Sequence, residues 1–484
     1  MSVWELYLVR NANLNYPQMR RIQSIHFVGI GGSGMSGIAQ VLLNQGYSIT
    51  GSDLKLNSSI DHLKAGGAKI FIGHDQCQVT DADVVVKSSA VDFENVEIKQ
   101  AFNLNIPVIR RAEMLAELMR FRQSIAVAGT HGKTTTTSLL AAIMAEDGRD
   151  PTFIIGGKVN SFGTGAKLGQ GKYLIAEADE SDASFIHLQP LVTVVTNIDL
   201  DHMETYEHDF ERLKSTYLNF LHNLPFYGLA VVCADDVTIQ KIIKKIGRPL
   251  VTYGFSDHSN FQIKDFKSHK HNSEFNLVCS SHDKEIPLSL KMPGRHNALN
   301  AAAAASVALE EGVSPKVIQR ALKNFSGVSR RFEEVLNIEN KRCKLTYIDD
   351  YGHHPNEIKA TLEAARASWP DRKIILIFQP HRFSRIRDLF SEFVSTLSTV
   401  DILVLLDVYP AGEAPLTGIN SEKLSQEICN KSDCHSLYLA DINLIKKVLP
   451  NLMSNNDLII SQGAGDISKY TEKLKSIIQG VLDE

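Results

Sequence analysis

The sequence predicts a three-domain α/β protein with Rossmann-like domains at both ends and a central P-loop domain. A chain of 484 residues is long enough for roughly three domains. Short apolar runs alternate with helix-like spacers along the chain, a pattern typical of parallel βαβ units. Two of these runs lead into glycine-rich turns that open helices, as phosphate-binding segments do. We therefore place the domains at residues 1–121, 122–328 and 329–484.

Composition and charge exclude several classes of protein. The net charge is -4 and no long Lys/Arg run occurs, which argues against nucleic acid or an anionic membrane surface as the main partner. Six cysteines are scattered without a CxxC pair, as expected for reduced thiols in the cytosol. The first 21 residues lack an apolar signal core, and no run of about 18 apolar residues occurs. We expect a cytoplasmic protein that does not insert into membranes.

The first domain opens with a glycine turn. In IHFVGIGGSGMSG, the glycines Gly29, Gly31 and Gly34 have the GxGxxG spacing, and Asp53 ends the next predicted strand. A glycine turn before a helix offers free N–H groups and a positive dipole end to a pyrophosphate. NAD, FAD and a UDP-sugar would all satisfy this pattern, so these residues leave the ligand open.

The second domain contains the strongest single motif. AGTHGKTTTT follows a predicted strand and begins a predicted helix. Gly129 and Gly132 would let the backbone approach phosphates, Lys133 would meet the β- and γ-phosphate oxygens, and the Thr134 hydroxyl suits Mg²⁺. The match to GxxxxGK[ST] is imperfect, because Val127 takes the place of the first glycine. We interpret the domain as P-loop ATPase-like and predict ATP binding.

Acidic residues follow two later strands of the second domain. Glu177 and Asp179 in YLIAEADESD, and Asp199 and Asp201 in TNIDLDHMETY, lie where a metal site beside the loop would need them. Mg²⁺ prefers oxygen ligands, so His202 on its own is more typical of a solvated or hydrogen-bonding histidine. Acidic turns also occur without any metal.

Other motifs support a nucleotide site less strongly. Asn297 and Asn300 share the first-turn face of an alanine-rich helix, although an ordinary capped helix has the same pattern. Arg330 and Arg331 lie at the junction with the third domain, where an arginine could approach a γ-phosphate; a pair of surface arginines fits equally well. Four predicted strands of the third domain end in polar residues, and such ends line ligand clefts in open α/β sheets.

Together these motifs resemble the cytoplasmic ATP-dependent ligases that build the peptidoglycan stem peptide. The resemblance covers nearly the whole chain, from HFVGIGGSGMSG through AGTHGKTTTT, EADESDASF, TNIDLDHMETY, PGRHNALNA and SGVSRRFE to DDYGHHP and FQPHRFSR. It implies that the first glycine turn binds the pyrophosphate of a UDP-sugar and not NAD. It also implies ATP, UDP-N-acetylmuramate and L-alanine as substrates, Mg²⁺ as cofactor, an acyl-phosphate intermediate, and a monomer or weak homodimer.

The resemblance also implies roles for individual residues, and it reverses the interpretation of His202. The implied catalytic residues are Lys133, His202 and Arg331. The implied metal ligands are Thr134, Glu177 and His202. The implied ATP-binding residues are Gly129, Thr130, His131, Gly132, Lys133, Thr134, Thr135, His296, Asn297, Asn300, Arg331 and Asp350. The implied UDP-sugar contacts are Gly31, Ser33, Gly34, Ser88, Ser89 and Arg110. The implied amino-acid pocket consists of Tyr351, His353, His381, Arg382 and Arg385.

Three alternatives stay open at this point. A sister enzyme that attaches a recycled tripeptide to the same UDP-sugar would share the first two domains. A nicotinamide-dependent oxidoreductase would explain the first glycine turn but not AGTHGKTTTT. A non-catalytic nucleotide-binding regulator would leave the metal acids and the arginine-rich third domain without a role.

Overall fold

The computed structural model describes residues 19–280, 284–339 and 344–483. Residues 1–18 lie outside the described residues. The expectation that the chain has no signal segment concerns this stretch. The chain divides into two compact units. The first comprises residues 1–264, 276–288 and 299–326, and the second comprises 265–275, 289–298 and 327–484. Among the described residues, no helix is both long and apolar enough to cross a membrane.

The first unit begins with a five-stranded parallel sheet in the order β3-β2-β1-β4-β5. All five strands coincide with the apolar runs that the sequence predicts as strands. The strands are β1 (Ser24–Val28), β2 (Ser48–Asp53), β3 (Lys69–Ile72), β4 (Val84–Lys87) and β5 (Val108–Arg110). The helices are α1 (Ser33–Asn44), α2 (Ser58–Ala65), α3 (Val96–Asn103) and α4 (Arg111–Arg120).

The second sheet has ten strands in the order β15-β14-β13-β12-β11-β10-β6-β9-β7-β8. Its strands are β6 (Gln123–Ala128), β7 (Thr152–Val159), β8 (Thr164–Lys167), β9 (Tyr173–Glu177), β10 (Val192–Val195), β11 (Leu229–Cys233), β12 (Leu250–Gly254), β13 (Phe261–His269), β14 (Asn272–Cys279) and β15 (Lys284–Leu290). The helices that follow in this part of the chain are α5 (Lys133–Glu146), α6 (Phe210–His222), α7 (Val237–Ile242), α8 (Arg295–Glu310) and α9 (Pro315–Asn324).

The core strands of this sheet were predictable and its margins were not. The predicted strands β6, β7, β9, β10 and β11 are confirmed. Strands β8 and β12–β15 were not predicted, because several of them, such as FQIKDFKSH, are mostly polar and lack a continuous apolar run. The alanine run Ala301–Ala305 of α8 is fully buried, since small side chains let neighbouring elements pack closely against the helix.

The second unit is built on a six-stranded sheet in the order β16-β17-β21-β18-β19-β20. Only β16 runs antiparallel to its neighbour; the other pairs are parallel. The strands are β16 (Glu333–Glu339), β17 (Lys344–Asp350), β18 (Lys373–Phe378), β19 (Ile402–Leu406), β20 (His435–Leu439) and β21 (Asp457–Gln462). The helices are α10 (Pro355–Ser368), α11 (Phe383–Asp388), α12 (Phe390–Leu397), α13 (Ser421–Lys431), α14 (Ile445–Leu452) and α15 (Thr471–Asp483).

Both faces of this sheet are covered by apolar side chains. In β18, Ile374, Leu376 and Phe378 pack in one cluster, while Ile375 and Ile377 pack in another on the opposite face. This alternation explains why the strand is a continuous apolar run. The four predicted strands β17, β18, β19 and β21 are confirmed, and the edge strands β16 and β20 were not predicted. The domain boundaries near residues 121 and 329 stay predictions.

Candidate active site

The predicted phosphate-binding loop leaves the carboxyl end of β6, which lies between β9 and β10. Gly129 has φ of +129° and Gly132 has φ of +83°. A Cβ atom on Gly129 would lie 2.0 Å from Thr196 Oγ1, and one on Gly132 would lie 2.4 Å from Asn300 Oδ1. Both the backbone conformation and the close neighbours therefore require glycine at these two positions.

The segment after β10 holds the loop in place. The amide of His131 donates to Asn197 Oδ1 at 2.8 Å, and Asn197 Nδ2 donates back to the His131 carbonyl at 3.0 Å. The amide of Asp199 donates to Thr130 Oγ1 at 2.9 Å, and His131 Nε2 lies 3.2 Å from Asp199 Oδ2. These bonds fix the loop backbone before any ligand binds, so part of the ordering of a phosphate site is already present.

Lys133, the first residue of α5, is held by a buried carboxylate. Its Nζ donates to both oxygens of Glu180, at 2.8 and 2.9 Å, and to the carbonyls of Gly129 and Thr130. Burial opposes the charged ammonium, but the negative charges of Glu180, Asp179 and Glu177 outweigh it and raise the pKa of Lys133. The lysine is therefore a cation that is already positioned over the loop.

The pKa values of Asp179 and Glu180, the two acids that follow β9, are shifted in opposite directions. Burial raises the pKa of Glu180 to about 7. Burial would also raise the pKa of Asp179, but the charges of Arg111 and Lys133 and hydrogen bonds from Ser181 lower it to about 2. Arg111 Nη2 lies 3.1 Å from Asp179 Oδ2. The sequence analysis selected neither Glu180 as a partner of Lys133 nor Arg111, although Glu180 belongs to YLIAEADESD and Arg111 adjoins the predicted Arg110.

The three predicted metal ligands lie at this same edge of the sheet. Glu177 ends β9, and its Oε1 accepts a hydrogen bond of 2.9 Å from the Gly156 amide. His202 follows β10 with a left-handed φ of +53°, and its Nε2 lies 3.6 Å from Asp201 Oδ2. Thr134 is buried in the first turn of α5. One carboxylate, one hydroxyl and one imidazole form a donor set compatible with a divalent cation.

Asn300 is one of the two predicted adenine-side asparagines, and it lies against the loop. Its Oδ1 accepts a hydrogen bond from Thr136 Oγ1 at 3.3 Å and closely approaches Gly132. The structure thus brings Asn300 to the start of α5. Thr135 is buried in the same first turn.

The glycine turn after β1 is also tightly built. The Gly31 amide donates to Asp53 Oδ2 at 2.8 Å, and Asn57 Nδ2 donates to the Gly31 carbonyl at 2.9 Å. A Cβ on Gly29 would lie 2.9 Å from Ser88 Cβ, so the predicted Ser88 contacts the turn. Asp53, the residue that a dinucleotide site would place on a ribose, thus binds the turn itself through one oxygen.

The surroundings of this turn include an open cavity and two arginines. A cavity of about 330 Å³ is lined by Ser33 and by polar residues of α1, α2 and the β7–β8 hairpin. Ser89 and Arg110 are exposed, and the Arg110 amide donates to Glu113 at the start of α4. The adjacent Arg111 lies across Gly34 instead, with Nη1 3.0 Å from where a Cβ would stand.

In the second unit, Asp350 organises the end of β17. One of its oxygens accepts hydrogen bonds from the Gly352 amide at 2.9 Å and Gln462 Nε2 at 2.7 Å. The other accepts from the Phe332 amide at 2.8 Å, which positions the neighbouring Arg331. The Arg331 guanidinium lies 4.9 Å from the centre of the Tyr351 ring. Asp350 and Arg331, both implied by the resemblance as ATP-binding residues, are thus brought together.

The predicted amino-acid pocket is a compact group of rings and guanidinium groups. The ring centres of Tyr351 and His353 are 5.4 Å apart, and those of His353 and His381 are also 5.4 Å apart. Arg385 is buried and its Nη1 donates to the His381 carbonyl at 3.1 Å. Arg382 has a left-handed φ of +70°, and its buried Nε has no hydrogen-bond partner among the described residues. A buried donor of this kind suits a missing anionic ligand.

His296 and Asn297 also lie in the second unit. Burial and the nearby Arg331 charge lower the pKa of His296 to about 4, against the opposing influence of Asp350 and Glu357. The imidazole is therefore neutral at pH 7. Asn297 is buried and its Nδ2 donates to the Pro293 carbonyl at 2.7 Å.

Comparison with known families gives a consistent match along the chain. The profile of the Mur ligase family catalytic domain matches residues 24–123, that of the Mur ligase middle domain matches 127–308, and that of the Mur ligase glutamate ligase domain matches 330–465. The chain belongs to the Mur ligase family. The predicted three-domain α/β fold class is thereby confirmed.

Solved structures of Mur ligases resemble this chain over most of its length. The UDP-N-acetylmuramate-alanine ligase of Thermotoga maritima is 27% identical with a TM-score of 0.78, covering 94% of this chain and 99% of that one. A UDP-N-acetylmuramate:L-alanyl-gamma-D-glutamyl-meso-diaminopimelate ligase from Neisseria meningitides is also 27% identical, with a TM-score of 0.58, covering 64% and 100%. A murein peptide ligase from Psychrobacter arcticus is 23% identical with a TM-score of 0.67, covering 94% and 98%.

Membership of the Mur ligase family fixes the general reaction. This Mur ligase is an ADP-forming amide ligase of peptidoglycan synthesis, and its family joins amino acids to UDP-N-acetylmuramate intermediates. The alternative of a nicotinamide-dependent oxidoreductase is not supported, since both glycine turns lie in matched Mur ligase domains.

Proposed function

We propose that this Mur ligase joins L-alanine to the carboxylate of UDP-N-acetylmuramate, with cleavage of ATP to ADP and phosphate. The observation that carries the proposal is the phosphate-binding loop of β6, flanked on adjacent strands by the acids after β9 and the polar segment after β10. The substrate carboxylate attacks the γ-phosphorus of ATP and ADP leaves. The alanine nitrogen then attacks the acyl carbon, loses a proton, and phosphate departs as the amide bond forms.

Lys133 stabilises the phosphoryl-transfer step. Each stage concentrates negative charge on phosphate oxygens, and positioned cations supply most of the stabilisation in such reactions. The Lys133 ammonium is held over the loop by Glu180, so it needs little rearrangement to meet a β- or γ-phosphate. Arg331 is the second proposed catalytic cation, and Asp350, His296, Asn297 and Asn300 are proposed ATP contacts.

The proposed Mg²⁺ ligands fit a divalent cation. Glu177 and Thr134 supply the hard oxygen donors that Mg²⁺ prefers, and His202 adds an imidazole nitrogen. When bound, Mg²⁺ would neutralise phosphate charge and orient the γ-phosphoryl group. Gly156 donates its amide to Glu177 Oε1, which orients that carboxylate.

The acceptor amino acid is proposed to bind at the rings of the second unit. A guanidinium group pairs well with a carboxylate through two parallel hydrogen bonds, and Arg382 and Arg385 are the nearby candidates. The buried Nε of Arg382, which has no hydrogen-bond partner in the described part of the chain, supports this assignment. Tyr351, His353 and His381 would enclose a small side chain.

The choice of L-alanine over a tripeptide is supported by the likeness to the alanine ligase of Thermotoga maritima, which covers 94% of this chain and 99% of its own with a TM-score of 0.78. The solved tripeptide ligase chain of Neisseria meningitides has the same identity but is shorter, and all of it covers 64% of this chain with a TM-score of 0.58. The proposed first-domain contacts, Gly31, Ser33, Gly34, Ser88, Ser89 and Arg110, serve the UDP-sugar in either case.

A direct test is ADP release with Mg²⁺-ATP and UDP-N-acetylmuramate, comparing L-alanine with L-Ala-γ-D-Glu-meso-diaminopimelate as acceptor. We expect turnover with L-alanine alone. Turnover with the tripeptide alone would keep the ligase reaction and replace the proposed acceptor. Release of ADP with neither acceptor would contradict the proposed substrates altogether.

A further inference from the structure

Arg111 lies between the two phosphate-binding elements of the first unit. It is the first residue of α4, and its side chain is only 15% exposed. We propose that Arg111 is a positioning residue shared by the UDP-sugar and nucleotide sites, and that it couples binding of a diphosphate at the first to binding at the second. The inference rests on the proposed function, because it takes the ligand of the first glycine turn to be a UDP-sugar.

The first contact joins Arg111 to the glycine turn. A Cβ on Gly34 would lie 3.0 Å from Arg111 Nη1 and 3.2 Å from Cδ, so the guanidinium lies close against the first turn of α1. Glycine at this position is what lets the guanidinium come so close. The helix has no acidic residue in its first turn, and Gly32 provides no side-chain cap. The helix start and Arg111 therefore present positive charge together.

The second contact joins Arg111 to the acids beside the nucleotide loop. Its Nη2 donates to Asp179 Oδ2 at 3.1 Å. The other oxygen of Asp179 accepts from the Ser181 amide at 3.0 Å. The residue between them, Glu180, holds Lys133 with both carboxylate oxygens. A single guanidinium is thus connected through one short segment to the lysine that would bind ATP.

The remaining donors of Arg111 are available to a ligand. Among the residues that the structure describes, Asp179 is the hydrogen-bonding and ion-pair partner found for this side chain. A guanidinium has five N–H donors in a rigid fork, so Nη1 and Nε can engage a diphosphate while Nη2 stays on Asp179. A lysine has one charged nitrogen and cannot make both contacts with the same geometry.

This shared contact has a thermodynamic consequence. A diphosphate on the glycine turn would fix the guanidinium, which in turn fixes the Asp179–Ser181 segment and the partner of Lys133. Because the loop is then already ordered, nucleotide binding loses less conformational entropy. By linkage, each ligand tightens the other by the same factor, which for such coupling is about tenfold.

Isothermal titration calorimetry on the full chain tests the proposal without turnover. The probes are UDP and Mg²⁺–AMP-PNP, each titrated with and without the other. The variants are Arg111→Gln, Arg111→Lys, Asp179→Asn and the double variant Arg111→Gln/Asp179→Asn. Arg120→Gln, which changes an exposed arginine at the other end of α4 paired with Glu117, is the matched control, and circular dichroism checks folding.

We expect UDP to tighten AMP-PNP binding about tenfold in the wild-type chain and in Arg120→Gln. Arg111→Gln should weaken UDP binding and abolish the tightening. Asp179→Asn should abolish the tightening while UDP still binds. The double variant should lose no more coupling than either single variant, because both changes break the same connection. Arg111→Lys should restore part of the UDP affinity without restoring the coupling.

The opposite results would overturn the proposal. If Arg111→Gln or Asp179→Asn keeps the wild-type coupling factor, the residue does not link the sites, even when both affinities fall; a purely structural role would produce that result. If the wild-type chain binds both ligands independently, the coupling is wrong while the proposed substrates stand. If it binds AMP-PNP but not UDP, the proposed UDP-sugar substrate and this inference are both wrong.

Discussion

The Nζ atom of Lys133 lies 2.8 and 2.9 Å from the two carboxylate oxygens of Glu180. The two side chains of this ion pair are largely shielded from solvent, and each compensates the charge of the other beside the nucleotide loop. Removing one member of such a pair leaves the other charge without compensation and costs about 3–5 kcal/mol of stability. The catalytic and structural roles of Lys133 must therefore be separated by experiment.

We predict that Lys133→Ala abolishes ADP release and also lowers the thermal unfolding midpoint, because Glu180 loses its counter-ion. Adding Glu180→Gln to this variant should restore most of the lost stability without restoring activity. Circular dichroism melts and ADP release assays measure the two effects. ADP release by Lys133→Ala at the wild-type rate would disprove the assignment of the loop.

Gly129→Ala should abolish nucleotide binding and destabilise the chain more than Gly148→Ala. Both residues have positive φ, but a Cβ on Gly129 would lie 2.0 Å from Thr196 Oγ1 and 3.0 Å from its amide nitrogen. A Cβ on Gly148 would have no non-neighbouring heavy atom of the described residues within 4 Å. The control should lose only the conformational term of about 1 kcal/mol. Chemical denaturation of both variants gives the comparison, and equal losses would contradict the steric argument.

Arg382→Lys should raise the KM for L-alanine at least tenfold and leave the KM for ATP near its wild-type value. The physical reason is the loss of a planar fork that pairs with the substrate carboxylate. Arg387→Lys is the matched control, since Arg387 lies in the short helix α11 that begins directly after Arg382, is exposed and pairs with Asp388. Steady-state kinetics with each substrate varied would show the difference; a selective change in the ATP constant would place Arg382 elsewhere.

The half-buried His296 should make the second unit less stable in acid. Its pKa falls from 6.5 to about 4 on folding, so the unfolded chain takes up the proton first. The stabilising effect is complete above pH 6.5 and is lost as the pH falls towards 4, by at most about 3 kcal/mol. His296→Gln should reduce this pH-dependent decrease in the free energy of unfolding. Urea unfolding at pH 7.5 and pH 5 measures it, and an unchanged pH dependence would argue against the prediction.

The sequence predicted the parts of the fold that depend on local pattern. Continuous apolar runs such as KIILIF and SIAVA correspond to strands β18 and β6, which are covered on both faces. The polar strand β13 and the edge strands β16 and β20 escaped prediction, because their stability comes from neighbouring strands more than from their own residues.

The site was predictable to a similar depth. The glycine spacing and the Lys-Thr pair located the loop. The backbone conformation requires the glycines, and binding of phosphate and Mg²⁺ calls for the lysine and the threonine. The pairing of Lys133 with Glu180, and the choice of Arg111 over Arg110 as the residue that faces Gly34, depend on three-dimensional packing. The course of the chain from β5 into α4 decides which of the two adjacent arginines faces the glycine turn. No sequence pattern distinguishes between two neighbouring arginines in this way.

The loop-bearing strand β6 is an interior member of its sheet, with six strands on its β10 side and three on its β9 side. Amide hydrogens of such a strand exchange with solvent only when much of the sheet opens. The phosphate-binding backbone should therefore be among the slowest-exchanging parts of the first unit, whereas the β7–β8 and β13–β15 margins can accept insertions and substitutions without disturbing it. The residues of the proposed chemistry are thus anchored in the interior of the sheet, and changes at its rim leave them in place.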